Sequence, residues 1–239
     1  MEAFESTDPD TYDRNFLRHV CDTRNYDLLR ERIDYLPRQF ARDKDFVYDL
    51  YLDLLLTGEK EIGHLIGMKC SISHYSLLNR AVKRKIKLSE LRLKFDQYEI
   101  RHYFIILVET DCLELYLEQE AMLCSVLTER ELLLLVVESS SSRITHHLCK
   151  QGRHKEILDE YMRHGENLKE TQHELLSSIC NQYFTVEFLT LRFMDQASNH
   201  NAYLCKLLLC LGAKPNEEQR QMLFRQAPSF HKKLFAEDV

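Results

Sequence analysis

Apolar residues recur at intervals of three and four in many short segments of this chain, the period of an amphipathic helix rather than the alternation of a strand. The pattern predicts helices at residues 12–23, 26–36, 43–57, 60–68, 75–83, 88–95, 98–109 and 111–126. It continues with 129–139, 143–150, 154–164, 169–181, 185–196, 202–211 and 217–235, the last broken at Pro228. Only six Gly and four Pro punctuate 239 residues, while the strong helix formers Leu, Glu, Lys and Arg are plentiful. The expectation is an all-α protein of short helices without strands.

Many short helices in succession predict a solenoid, in which each helix pair buries its apolar face against the next. Paired apolar residues followed by small or β-branched ones open successive segments at Leu77-Leu78, Phe104-Ile105, Leu132-Leu133 and Leu175-Leu176. The first three starts lie 27 and 28 residues apart and the fourth 43 later, so any repeat is degenerate. Residues 12–239 are expected to form a single α-solenoid domain after an acidic tail at 1–11. The serine run Ser139-Ser140-Ser141-Ser142 marks a turn and the best hinge, its hydroxyls placed to cap the helix that follows.

Near the C-terminus, Leu207-Leu208-Leu209-Cys210-Leu211-Gly212-Ala213-Lys214-Pro215-Asn216 joins an apolar helix end, a helix-stopping Gly and a Pro-Asn turn. This run resembles the close of an ankyrin repeat. Within the same third of the chain, residues 175–181 resemble a first helix, 185–189 a second and 212–216 the closing turn, with weaker turns after 65–70 and 161–167. The Thr-Pro-Leu-His tetrapeptide of ankyrin units is absent, and the spacing fits neither their period of about 33 residues nor the TPR period of about 34. A HEAT-like or irregular α-solenoid stays open as an alternative, as does a non-repeat helical domain. The ankyrin resemblance implies a helical stack that binds another protein, as an adaptor, a regulator or a pathogen protein occupying a host partner.

Charge changes the picture, because the formal net charge of −6 hides two neighbouring blocks of opposite sign. Arg80, Lys83, Arg84, Lys85, Lys87, Arg92, Lys94 and Arg101 face only Glu90, Asp96 and Glu99 in one block. In the next, Glu109, Asp111, Glu114, Glu118, Glu120, Glu129, Glu131 and Glu138 are opposed by Arg130 alone. One reading makes the basic block a face for an acidic partner, with Lys83, Arg84, Lys85, Tyr98, Arg101 and Tyr103 as the candidate contacts. The favoured reading is intramolecular compensation of one block by the other. Nucleic-acid binding through residues 80–101 is the alternative function, disfavoured by the overall acidity. Lys83-Arg84-Lys85-Ile86-Lys87 also fits the loose pattern of a nuclear import signal.

Candidate chemistry adds little. There is no Gly-rich phosphate loop, Gly-x-Ser-x-Gly or His-Glu-x-x-His; Gly58, Gly63 and Gly67 stand in a helix-like context. A non-enzyme with no cofactor and no small-molecule substrate is expected. Eight scattered cysteines without a C-x-x-C pair read as reduced core thiols, and His146, His147, Cys149 and His154 read as a helix with surface histidines rather than a zinc site. The longest apolar run, Leu132 to Val137, is far short of the roughly 20 residues that span a bilayer, so no membrane partner is expected. The acidic N-terminus lacks the layout of a signal peptide, which makes a cytoplasmic or nuclear location the expectation.

Overall fold

The computed structural model describes residues 19, 22, 23, 25–37, 41 and 43–235; the expected acidic tail and most of the first expected helix lie outside the described residues. Every described element is helical, and there is no strand among the described residues. The chain divides into two compact units, Met1–Leu127 and Thr128–Val239.

In the first unit the helices are α1 (Tyr26–Arg32), α2 (Lys44–Thr57), α3 (Lys60–Cys70), α4 (His74–Lys83), α5 (Gln97–Glu109) and α6 (Leu113–Val126). Helix α2 packs on α3 and α4, α4 on α5, and α5 on α6. Seven of the α2 residues are buried, among them Leu52 and Leu54, making it the apolar centre of this unit. Its contact with α3 depends on small residues. Gly63 and Gly67, one turn apart, leave room for the Tyr51 side chain, whose ring lies 3.6 Å and hydroxyl 3.4 Å from the Cβ positions these glycines lack.

The second unit comprises α7 (Glu129–Ser139), α8 (Ser142–Leu148), a π turn (Cys149–Arg153), α9 (His154–His164), α10 (Glu170–Tyr183), α11 (Val186–Ser198), α12 (Ala202–Cys210), α13 (Glu217–Gln226) and α14 (Pro228–Phe235). Helix α9 packs on α7 and α10, α11 on α12, and α14 on α12 and α13. Buried apolar rows such as Leu132, Val136 and Val137, or Leu176 and Ile179, follow the three-and-four spacing of the sequence.

Local chemistry sets the ends of these helices. Asp43, Asp96, Thr128, Thr185, Asn201 and Asn216 each accept a backbone N–H from the first turn of the following helix. Seven of the described helix exits share one geometry. A residue with positive φ stands at Gly58, Ser71, Lys85, Asp111, Ser140, His200 and Gly212. The N–H of the next residue then donates back to a carbonyl five positions earlier, as in Ile86 to Ala81, Cys112 to Leu107, Asn201 to Gln196 and Ala213 to Leu208. Gly212, at φ +106, fills this role as its sequence context predicts.

Three local expectations are corrected. Residues 88–95 form a single 3-10 turn, Leu88–Leu91, because Arg92 takes φ +53 and ends it. Gly58 is not helical but sits at φ +84 just past α2. The serine run supplies an exit from α7 at Ser140, yet Ser141 makes no side-chain cap bond to α8; instead its carbonyl accepts from the Thr145 hydroxyl, and the Ser139 and Ser141 hydroxyls lie 2.6 Å apart.

Side-chain hydrogen bonds between helix pairs recur at a narrow range of sequence separation. Arg80 to Asp49 and Gln119 to Leu88 span 31 residues, Arg192 to Asp159 spans 33, and Gln172 to Val137 spans 35. Tyr183 to His146 and Tyr203 to Gly165 span 37 and 38.

Candidate interaction surface

The basic block is built from the end of α4, the connection that follows it, and the start of α5. Its first cations are held by α2. Arg80 donates to both carboxylate oxygens of Asp49, and Arg84 bridges Asp49 and Asp53. The hydrogen bond from Arg80, reinforced by the charges of Arg80 and Arg84, holds the Asp49 carboxyl below the usual aspartate range. Its later cations are held by the helix after it: Lys85 lies 3.9 Å from Glu114 and Lys87 2.9 Å from Glu118. The acidic block thus meets Lys85 and Lys87, whereas Arg80 and Arg84 pair with Asp49 and Asp53 outside it, and of the Lys83-Arg84-Lys85 cluster only Lys83 is exposed without an ion pair among the described residues.

Tyr103 is not a surface contact. It is fully buried, donates to the Ile86 carbonyl at 3.0 Å and accepts from the Gln119 amide at 2.9 Å. Burial pushes its hydroxyl up to about 12. The other Gln119 amide atom, Oε1, accepts from the Leu88 N–H at 3.2 Å, so one buried glutamine and one buried tyrosine pin the connection between α4 and α5 against α6. The sequence places Tyr103 beside Tyr98 but not on the same face of α5, since five residues turn a helix well past one full turn.

Tyr98 and Arg101 do lie together at the start of α5. Tyr98 is 80% exposed, the highest value among the described large apolar side chains that protrude, and Tyr75 on α4 is 56% exposed. The rings of Tyr75 and His102 lie 4.0 Å apart, and His102 follows Tyr98 by one turn of α5. Desolvation against this packing lowers the pKa of His102, whose buried Nε2 has no hydrogen-bond partner among the described residues. Beneath the edge of the patch His74 bonds Glu99 and meets Phe95 edge-on at 5.7 Å. The result is a ring-bearing patch, Tyr75, Tyr98 and His102, with Arg101 at its border. Tyr75 and His102 were missed in the sequence because their pairing is set by how α4 meets α5, not by any local spacing.

The described cysteines form no disulfide, and burial raises Cys70 to about 11 and Cys149, Cys180 and Cys205 to about 12, values that keep the thiols protonated at neutral pH. No group of three or more His, Cys, Asp or Glu among the described residues could hold a metal. An open cleft of 590 Å³ between α7 and α9 is rich in acids, but Glu129 pairs with Arg153, Asp159 with Arg192 and Glu160 with Arg163 and His164. No described helix is long and apolar enough to cross a membrane.

Comparison with family models, curated proteins and solved structures finds no match. The functional reading therefore rests on the patch itself.

Proposed function

We propose that the chain is a non-catalytic interaction module of stacked short helix pairs, related in style to degenerate ankyrin repeats, and that it works as an adaptor or regulator by engaging another protein. The observation that carries this reading is the Tyr75–Tyr98–His102 patch, because large rings left in solvent on helices whose opposite faces are packed mark contact surfaces. The repeated helix exits and the side-chain links over 31 to 38 residues support stacking of similar units of roughly the length of an ankyrin repeat. The paired part of the basic block argues against a phosphate-binding face, since Arg80, Arg84, Lys85 and Lys87 already meet carboxylates.

The test is co-purification from cells that make the protein, with wild type, Tyr75→Ala/Tyr98→Ala and Lys83→Glu compared side by side. Loss of a defined protein with the tyrosine variant and its retention with Lys83→Glu is the expected result. Equal recovery with all three removes the patch from the binding surface. A gel shift with RNA or DNA that survives physiological salt makes nucleic-acid binding the better reading.

A further inference from the structure

A second surface lies in the unit Thr128–Val239, and nothing in the first reading uses it. Between Glu138 and Glu156 the sequence has no carboxylate, whereas it has Arg143, Lys150, Arg153 and Lys155 together with His146, His147 and His154. The chain presents this stretch as α8, the π turn and the start of α9. Gly152 opens the turn at φ +92, and no atom lies within 4 Å of the Cβ position it lacks, so the backbone here is uncovered. Lys150 is exposed and makes no ion pair among the described residues. Lys155 is exposed too, its ammonium 5.6 Å from the Phe188 ring centroid rather than against an acid. The contrast with the first basic block is direct: there Arg80, Arg84, Lys85 and Lys87 meet Asp49, Asp53, Glu114 and Glu118, whereas here Lys150 and Lys155 meet no carboxylate among the described residues and Arg153 reaches Glu129 at 3.4 Å.

Beside these cations runs a row of half-buried rings. His154 stacks on Tyr183 at 6.1 Å and meets Phe184 edge-on at 5.2 Å, and Phe184 stacks on Phe188 at 5.0 Å. Leu191, less than one turn beyond Phe188 on α11, is 69% exposed. We propose that Lys150, Lys155 and the open turn at Gly152, with Leu191 as apolar anchor, form a docking surface for an acidic amphipathic segment of another protein.

Two features favour a peptide over a nucleic acid. Bases stack on free ring faces, but Phe188 has Phe184 stacked on it and the cations of Lys155 and Arg192 over it, and His154 is held between Tyr183 and Phe184. An exposed leucine offers a phosphate nothing, whereas a segment that alternates carboxylates with large apolar side chains uses Leu191 and the lysines together.

The experiment uses the full chain and fluorescence anisotropy of short labelled probes: a peptide of Glu and Leu in helical amphipathic order, the same peptide with Ser for Leu, the same with Lys for Glu, and oligothymidylate. The Glu/Leu peptide is expected to bind best. Lys150→Glu/Lys155→Glu weakens it by about tenfold, the scale of two lost rim charges. Leu191→Ser weakens the Glu/Leu peptide but not the Glu/Ser one, and Tyr75→Ala/Tyr98→Ala changes neither, which separates this surface from the first. All the altered side chains are exposed, and circular dichroism checks that helix content is kept. Absence of peptide binding, binding indifferent to the lysine reversals, or tighter binding of oligothymidylate would each overturn the proposal.

Discussion

Replacing Gln119 by Leu tests whether the connection between α4 and α5 is pinned by a buried polar pair. Gln119 is 7% exposed and its amide serves two masters, accepting from the Leu88 N–H and donating to the Tyr103 hydroxyl. Leucine keeps the volume but strands the Leu88 N–H, and a buried donor left without a partner costs about 1–3 kcal/mol. The Tyr103 hydroxyl keeps its bond to Ile86, so it adds little. A loss of about 2 kcal/mol is expected. Tyr103→Phe instead strands the Ile86 carbonyl and one Gln119 donor, again costing about 1–2 kcal/mol. Because the singles share the Tyr103–Gln119 bond, the double variant should be less destabilised than their sum by about 1 kcal/mol. The assay is urea unfolding followed by circular dichroism, with the full cycle measured in one buffer. Single variants within about 0.5 kcal/mol of wild type, or strict additivity, would refute the pinning argument.

Gly212→Val should lose about 1–2 kcal/mol from backbone strain at φ +106 rather than from a clash, since the nearest atom to its missing Cβ, on Leu189, is 3.9 Å away; an unchanged thermal midpoint counts against that. Gly63→Ala should be neutral or stabilising by up to about 1 kcal/mol in the same melt, because the Tyr51 ring is at ordinary contact distance and Ala is the better helix former; a large loss would show that the α2–α3 contact is tighter than described. Asp49 titrates below its ordinary value, so its contribution is complete above about pH 4 and is lost as pH falls through the lower native value. Asp49→Asn should therefore cost about 1 kcal/mol at neutral pH and flatten the acid limb of a stability–pH curve, and an unaltered limb would remove the pair from the account. Of the described thiols, Cys124 and Cys210 are exposed and should alkylate in the native protein, while Cys70, Cys149, Cys180 and Cys205 should react only after denaturation, as followed by mass spectrometry.

Helix content and most helix limits were legible because they depend on local chemistry. Asp96 with Glu99, Thr128 with Glu131 and Asn216 with Gln219 are capping boxes written in the sequence, and Gly212 announces its own turn. The exits at Ser71, Lys85, Asp111 and His200 were not legible, since nothing in a Lys or a His declares a left-handed backbone and the surrounding packing imposes it. The charge blocks were visible, and the structure places partners of the basic one on α2 and α6. Tyr98, named for its proximity to that block, is exposed, whereas Tyr103 proved buried, because sequence neighbourhood does not reveal which face of α5 is inward. The π turn at Cys149–Arg153, and with it the second basic stretch, was read as an ordinary break between helices.

The uniform reach of the links between helix pairs, 31 residues for Arg80 to Asp49 and 38 for Tyr203 to Gly165, bears on how the chain assembles. The entropy lost in closing a loop grows only with the logarithm of its length, so loops this similar cost nearly the same to close. Among these links no single closure is then much costlier than the others. At a synthesis rate of about 5–20 residues per second, each link becomes available within seconds of the one before it. The helices then lock in the order in which they leave the ribosome, without waiting for the C-terminus.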